Sequence, residues 1–258
     1  MARQQPDYTP QELMVVCAAR QIRDGEVVFV GMRLPLIAFA LAKRTHAPRA
    51  TGLFENGLVR DTPSPELLLT MGDAPNIAGA EWATRTSALM GLLAQGCANL
   101  GFVGGAEVDR YGNLNTSAIG GSYERPKVRL PGSGGANDII SLCREVRILT
   151  VHEKRRFTER VDFVTSPGYL DGGDTRRRHG LLFGGVSRVV TTLGIFGFEA
   201  ESRRMQLLAL HPGATVDQVR ENTGFEVLVS PSLTTTKPPT DEELAILRML
   251  DPNRQFIG

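Results

Sequence analysis

The chain has 258 residues, of which 41% are hydrophobic and 22% charged, and its formal net charge is +1 at pH 7. These values are typical of a globular protein with a substantial core. The near-zero charge gives no reason to expect nucleic acid or a membrane surface as a partner. No apolar run approaches the ~18 residues of a membrane span, and the polar residues 1–7 do not resemble a signal peptide.

The three cysteines, Cys17, Cys97 and Cys143, are an odd number and lie far apart in apolar segments. We expect buried, reduced thiols rather than a disulfide framework. Together with the absence of a targeting segment, this predicts a cytoplasmic protein.

The first part of the chain alternates between helix and strand patterns. Thr9, Pro10 and Glu12 form a helix start with a capping box, and Gly25 is placed to end that helix after residue 24. An apolar strand is predicted at 27–30, a helix at 34–44 and a second strand at 50–54.

The same alternation continues to the end of the chain. Helices are predicted at 65–70, 86–98, 216–221 and 242–250, and strands from 102 and at 146–151, 186–192 and 206–210. Apolar strands alternating with helices predict an α/β fold, with a largely parallel sheet and helices on both faces. We expect one domain over residues 1–258, whose C-terminal tail, 230–258, carries the final helix.

Glu55 interrupts the apolar strand pattern at 50–54 and is followed by Asn56 and Gly57. Asn-Gly is a strong turn signal, because both residues tolerate positive φ. A carboxylate on a turn at a sheet edge can act as a covalent nucleophile. The alternative is that Glu55 begins an ordinary solvated hairpin turn, and these three residues alone favour that simpler interpretation.

Two loops rich in glycine could bring backbone N–H groups close to a ligand. The first spans residues 104–115 and the second spans 132–138. Such loops can form an anion nest or an oxyanion hole, although tight turns without a ligand explain each loop equally well. The second loop has neither the Gly-x-Gly-x-x-Gly spacing nor the Gly-Lys-Ser/Thr ending of nucleotide-binding loops, so we predict no bound nucleotide cofactor.

The charged segments of the chain do not predict a metal site. His152 begins a segment like that of zinc proteases, but Arg156 stands where the second histidine would be needed. Residues 154–156 and the arginines at 176–178 are interpreted as solvated surfaces. The alternative is that one of these groups binds the phosphates of a nucleotide-bearing cosubstrate.

Seven segments, in this order, resemble class I CoA-transferases, and most of all the B-type subunit of glutaconate CoA-transferase. They are GMRLPLI at 31–37, ENG at 55–57, GGAEVDRYGN at 104–113, GSGGAN at 132–137, HEKRRF at 152–157, VDFVTSPG at 161–168 and ENTGF at 221–225. The resemblance extends from about residue 8 to the end of the chain, and it implies the fold of that family.

The resemblance implies that Glu55 attacks an acyl-CoA thioester and then carries CoA as a glutamyl thioester in a ping-pong reaction. The backbone N–H of Gly135, with Gly134 beside it, is expected to stabilise the oxyanion, and Asn56 to orient the turn or the carboxylate. The remaining residues expected at the substrate site are Phe54, Gly31, Gly104, Gly105, Gly132 and Asn137. No permanently bound cofactor or metal is implied, since the CoA thioester is a substrate.

The resemblance also implies an A-type partner subunit, in an α2β2 or larger assembly with the active site between the subunits. Phe54 stands where the commonest form of the acid motif has serine, so acyl specificity does not carry over. Three alternative functions remain on this fold: a CoA-thioester hydrolase, a decarboxylase or other lyase, and a non-catalytic assembly subunit that binds CoA.

Overall fold

The computed structural model describes residues 7–64, 66, 68–181 and 183–257. The helices in these ranges are α1 (Pro10–Ala19), α2 (Leu34–Arg44), α3 (Ala74–Ile77), α4 (Thr86–Ala94), α5 (Ala136–Leu142), α6 (Thr175–Arg178), α7 (Val216–Glu221) and α8 (Asp241–Leu250). None of them is both long and apolar enough to cross a membrane.

The strands fall into one large sheet and two small ones. They are β1 (Val27–Phe29), β2 (Thr51–Phe54), β3 (Leu58–Arg60), β4 (Trp82–Ala83), β5 (Leu100–Val103), β6 (Glu107–Asp109), β7 (Leu114–Asn115), β8 (Ala118–Gly121), β9 (Pro126–Arg129), β10 (Glu145–Thr150), β11 (Phe157–Thr158), β12 (Val186–Thr191), β13 (Gly194–Phe198), β14 (Met205–Leu210) and β15 (Leu228–Thr235). β11, β6 and β7 form one small sheet, and β8 and β9 form the other.

The large sheet has ten strands in the order β15-β14-β13-β12-β10-β5-β1-β2-β3-β4. Its centre, from β12 to β2, is entirely parallel, whereas β2-β3-β4 and β12-β13-β14 are antiparallel. This confirms the predicted α/β fold with a largely parallel sheet. The predicted C-terminal tail begins inside β15, which pairs in parallel with β14. The single-domain assignment stays a prediction.

Helices cover both faces of the sheet, as predicted. Successive strand residues point to opposite sides, so each strand contributes apolar side chains to both faces. On β1, Val28 belongs to the core that includes α1, α2 and α8, while Phe29 belongs to the core that includes α4, α5 and α7. Leu53 and Phe54 on β2 divide between the two cores in the same way.

Several predicted boundaries differ from the structure, and local contacts explain two of them. Pro65 and Leu67 of the predicted helix at 65–70 lie outside the described residues, but its other residues are not helical. Asp73 binds the N–H groups of Leu69 and Thr70 there, which favours a turn. The helix predicted at 86–98 ends at Ala94, because Gly96 adopts φ +74° and closes the helix. The helix predicted to reach residue 24 ends at Ala19.

The cysteine prediction is correct for two residues and wrong for the third. Cys17 and Cys143 are buried, and burial raises the pKa of these thiols to about 11 and about 12. Cys97 is exposed, because it lies just beyond the glycine turn that ends α4 rather than inside the helix. The three thiols are free.

His152 is a buried part of the core rather than a surface or metal-binding residue. It stacks on Phe157 with ring centroids 4.1 Å apart, and its ring nitrogens lie 3.2 and 3.0 Å from the hydroxyls of Thr191 and Thr223. Burial lowers its pKa to about 4. The neutral ring therefore stabilises the fold.

We expect the free energy of unfolding to fall by about 3 kcal/mol as pH drops from ~6.5 to ~4 through His152 alone. Over that range the unfolded chain takes up a proton that the folded His152 does not. Chemical denaturation across this range should show the loss. His152→Gln should reduce the pH dependence, while His179→Gln, at an exposed histidine, should retain it. Equal pH dependence in all three proteins would contradict the expectation.

Candidate active site

Glu55 lies on the turn between β2 and β3, at the carboxyl end of the parallel strands β1 and β2. The N–H of Gly57 donates to the carbonyl of Phe54 at 2.9 Å, which closes the turn that the sequence predicts. Gly57 has φ +103°, and a Cβ there would lie 2.1 Å from the carbonyl oxygen of Thr84. Only glycine fits this position, so the backbone rigidly sets where Glu55 begins.

The glycine-rich segment 132–135 approaches the Glu55 carboxylate directly. The N–H of Gly135 donates to Glu55 Oε1 at 2.9 Å, and Gly135 is the N-cap of α5. A Cβ on Gly135 would lie 2.9 Å from Glu55 Cδ, and one on Gly134 would lie 3.5 Å from Oε1. The backbone N–H of Gly135 can therefore reach the carboxylate only because Gly135 lacks a side chain, whereas a Cβ on Gly134 would make ordinary van der Waals contact with it.

Backbone hydrogen bonds hold the rest of this loop in place. The N–H of Gly132 donates to the carbonyl of Thr116 at 2.7 Å, and that of Ala136 donates to the carbonyl of Ser133 at 3.0 Å. Gly132 has φ +100° with open space around it, and Asn137 is exposed on the first turn of α5. Their expected substrate contacts stay predictions.

Asn56 is exposed, and its side chain forms a hydrogen bond with the backbone of Met71 rather than with the Glu55 carboxylate. Its Nδ2 donates to the carbonyl of Met71 at 2.8 Å, and Asn76 donates to the same carbonyl at 2.6 Å. These bonds hold the turn against the segment that precedes α3. The contribution of Asn56 to catalysis stays a prediction.

The other predicted glycines, Gly31, Gly104 and Gly105, line a cavity of about 420 Å³ at the same sheet edge. Gly31 follows β1 and Gly104 follows β5. In the sheet β1 lies between β5 and β2, so its two neighbouring strands are on opposite sides of it. Ligands of open α/β sheets bind where the strand order reverses in this way. Among the described residues, neither Glu55 nor the loop 132–137 lines this cavity.

Two arginines line this cavity: Arg33 had no predicted role, whereas Arg156 belongs to the segment 154–156, predicted as solvated surface or, alternatively, as a phosphate-binding group. Arg33 precedes α2 with φ 65° and ψ −115°, and its guanidinium lies 6.0 Å from the ring centroid of Phe256. Arg156 lies nearby, with Nη1 3.4 Å from the carbonyl oxygen of Gly105. Strained backbone like that of Arg33 concentrates at functional sites. In the sequence both arginines stand in the quoted family segments, and Arg156 also belongs to the charged run 154–156.

Phe54 is 2% exposed and packs edge-to-face on Phe39, with ring centroids 6.2 Å apart. Its side chain belongs to the core that includes α1, α2 and α8. Its expected place in the substrate site stays a prediction. Met90, which the sequence did not indicate as a site residue, lies close to Gly135. Its Cε would be 3.0 Å from a Cβ on Gly135.

The predicted solvated surface at 176–178 is wrong for Arg176, which is 4% exposed, while Arg177 and Arg178 are exposed. Arg176 donates to the carbonyls of Pro167 and Gly168 at 2.7 and 2.9 Å, and to that of Ile140 on α5 at 2.8 Å. Backbone carbonyls, rather than phosphate, balance this buried cation. Within the described ranges, no group of three or more His, Cys, Asp or Glu side chains is arranged to bind a metal.

Comparisons with known proteins agree with this fold. Residues 12–222 match the family model described as Coenzyme A transferase. The chain is 39% identical over 245 residues to the B-type subunit of the 3-oxoadipate CoA-transferase of Pseudomonas knackmussii, covering 95% of this chain and 94% of the relative. It is 38% identical over 257 residues to the B-type subunit of the glutaconate CoA-transferase of Acidaminococcus fermentans, covering 97% and 96%.

Two solved structures extend the comparison. The glutaconate CoA-transferase of Acidaminococcus fermentans superposes with a TM-score of 0.91 at 37% identity, covering 98% of both chains. The decarboxylase AibA/AibB gives a TM-score of 0.82 at 31% identity, covering 96% of this chain and 97% of the other. The chain described here belongs to the CoA-transferase family, as a B-type subunit.

Proposed function

We propose that this chain is the catalytic B-type subunit of an acyl-CoA:carboxylate CoA-transferase in which Glu55 is the covalent nucleophile. The observation that supports this most directly is the 2.9 Å hydrogen bond from the N–H of Gly135 to Glu55 Oε1. One carboxylate oxygen is held by this donor, which leaves Oε2 as the attacking atom. The donor lies beside the glutamyl carbon, where two of the four covalent steps take place.

In the first step, Glu55 Oε2 attacks the thioester carbon, and the C–S bond breaks to release CoA thiolate and leave a mixed anhydride. The thiolate then attacks Glu55 Cδ, the donor acid leaves as its carboxylate, and a glutamyl-CoA thioester remains. During this second attack the negative charge develops on Oε1. The N–H of Gly135 is already aimed at that oxygen, so little reorganisation is needed.

The acceptor reverses these steps. Its carboxylate attacks Glu55 Cδ, charge again develops on Oε1, and CoA thiolate leaves. The thiolate then attacks the acyl carbon of the new anhydride, which releases the acceptor's CoA thioester and regenerates the Glu55 carboxylate. The Gly135 N–H is thus proposed to act on the enzyme's own carbonyl, at both attacks on the glutamyl carbon.

The relatives named above are B-type subunits, so we propose that an A-type subunit completes the enzyme in an assembly of α2β2 or larger. By their names, two of the relatives act on 3-oxoadipate and glutaconate, which are both dicarboxylates. A substrate panel should therefore begin with CoA thioesters and free acids of this class, assayed on the co-purified two-subunit protein.

The test of this proposal is to trap the covalent intermediate. The two-subunit protein is incubated with acyl-CoA without an acceptor, treated with borohydride or hydroxylamine, and digested for mass spectrometry. The modification should map to Glu55. A modification confined to the partner would overturn the proposal and favour a non-catalytic, CoA-binding role for this chain. Rapid CoA release without an acceptor acid would instead indicate a hydrolase.

Gly135→Ala should lower kcat by about a hundredfold, because the new methyl group would displace the Glu55 carboxylate from the N–H that holds it. Steady-state kinetics of the two-subunit protein would measure the loss. Gly91→Ala on α4 is the matched control, since a Cβ there meets nothing within 4 Å. It should keep full activity and gain about 0.5–1 kcal/mol of stability. Full activity of Gly135→Ala would contradict the proposed geometry.

A further inference from the structure

A cleft of about 490 Å³ lies at the amino ends of the parallel strands, opposite the edge that carries Glu55. Its walls come from the residues before β1, the start of β10 and the start of β12. Four arginines line it, namely Arg23, Arg144, Arg147 and Arg188, together with the carboxylate of Glu145. The cleft plays no part in the chemistry proposed for Glu55.

Arg147 forms the floor of this cleft and is 6% exposed. Its Nη1 lies 2.8 Å from Glu145 Oε2 and also donates to the Ser187 hydroxyl. Its Nε is buried and has no hydrogen-bond partner among the described residues. Glu145 itself has a side chain that is 44% exposed. Within the described residues, the carboxylate paired directly with this buried guanidinium is thus half in water, and Glu26 acts on it only from a distance. This arrangement compensates the desolvation of Arg147 poorly.

The remaining charges increase the imbalance. Arg188 donates to the backbone carbonyl of Ser187 at 2.6 Å, and Arg144 donates to that of Gly96 at 3.0 Å, so neither is neutralised by a carboxylate in these bonds. Arg23 lies 3.9 Å from Glu26, which offsets the outermost of the four arginines. Arg144, Arg147 and Arg188 therefore carry three positive charges against the one negative charge of Glu145.

We propose that this cleft binds a small multivalent anion of the phosphate class, such as a diphosphate group. Its volume lies within the range of about 300–1,000 Å³ typical of small-molecule sites. Guanidinium groups match phosphate oxygens with paired, charge-assisted hydrogen bonds. An anion with two or more negative charges would neutralise the positive charge of the arginines that Glu145 does not offset.

The diphosphate could belong to a separate molecule or to CoA itself, and the kinetics of a cleft variant distinguish the two. If the anion is a separate molecule, Arg188→Gln should leave the KM for the CoA thioester unchanged. If the anion is the phosphate portion of CoA, the same variant should raise that KM. Both sources share the chemistry of the site.

Isothermal titration calorimetry of the two-subunit protein with inorganic pyrophosphate tests the site. We expect saturable binding at low ionic strength that weakens as salt is added. Arg188→Gln and Arg144→Gln should each weaken binding by roughly tenfold or more. These variants carry the test because both arginines line the cleft and neither belongs to the buried Arg147–Glu145 pair. Arg220→Gln is the control, at a largely exposed arginine on α7 outside the cleft.

Absence of saturable pyrophosphate binding, or equal binding by the wild type and both cleft variants, would overturn the proposal. So would an acidic protein segment occupying the cleft. In that case the two-subunit protein would not bind pyrophosphate, and Arg188→Gln would separate from its A-type partner in size-exclusion chromatography.

Discussion

Replacing Glu55 by glutamine should lower kcat of the two-subunit protein by at least about a thousandfold. The amide is nearly the same size, and its oxygen can still accept the hydrogen bond from Gly135. It cannot, however, attack a thioester as a carboxylate does. Steady-state assays with a CoA thioester and an acceptor acid, on the co-purified subunits, would measure the loss.

Two further variants separate chemistry from folding. Glu55→Asp keeps the charge but withdraws the carboxylate by one methylene, which exceeds the ~0.5 Å tolerance of a preorganised site, so most activity should be lost. Glu81→Gln changes an exposed carboxylate near β4 and should be fully active. Wild-type turnover by Glu55→Gln would exclude the covalent mechanism and leave this chain a supporting role.

Replacing Arg176 by methionine should lower the free energy of unfolding by about 3–5 kcal/mol. The guanidinium binds carbonyls of the segment 167–168 and of α5 at 2.7 to 2.9 Å. Methionine fills similar space but leaves these buried acceptors without donors. Denaturant titration of the purified protein would measure the change.

Arg177→Met is the matched control for this change, because Arg177 is the exposed neighbour on the same short helix. Its free energy of unfolding should stay within about 0.5 kcal/mol of the wild type. An equally small effect of Arg176→Met would show that the carbonyls of α5 and of 167–168 find other partners. Arg176 would then have no special part in holding α5, the helix whose N-cap is Gly135.

Apolar periodicity was sufficient to predict the central strands and most helices of the fold. It failed at β13 (GIFGF), which contains two glycines, and at the edge strand β15 (LVSPSLTT), which is rich in serine and threonine. β15 also contains Pro231, which lies in the irregular stretch between the paired residues Val229 and Thr234, where a missing N–H donor is tolerated. Such strands form through their neighbours in the sheet rather than through their own composition.

The candidate site was predictable in part. The turn at Glu55 follows from Asn56-Gly57, and the resemblance indicated which glycines to examine. The contact itself joins residues 80 apart in the sequence, and no local pattern reveals such a contact. Arg176 was misinterpreted for the same reason, since an arginine triplet is typical of solvent-exposed surface unless distant carbonyls happen to surround one member.

The contacts between α1 and α8 affect how this chain can be made. Arg20 is bound to Glu243 at 2.6 Å and Glu12 to Arg248 at 2.8 Å, so the first helix is joined to the last. During translation at 5–20 residues per second, roughly 10 to 45 s separate the synthesis of these partners. Through that interval the apolar surface of α1 lacks its final cover on the ribosome. A nascent chain that stalls before residue 241 would present this surface to chaperones.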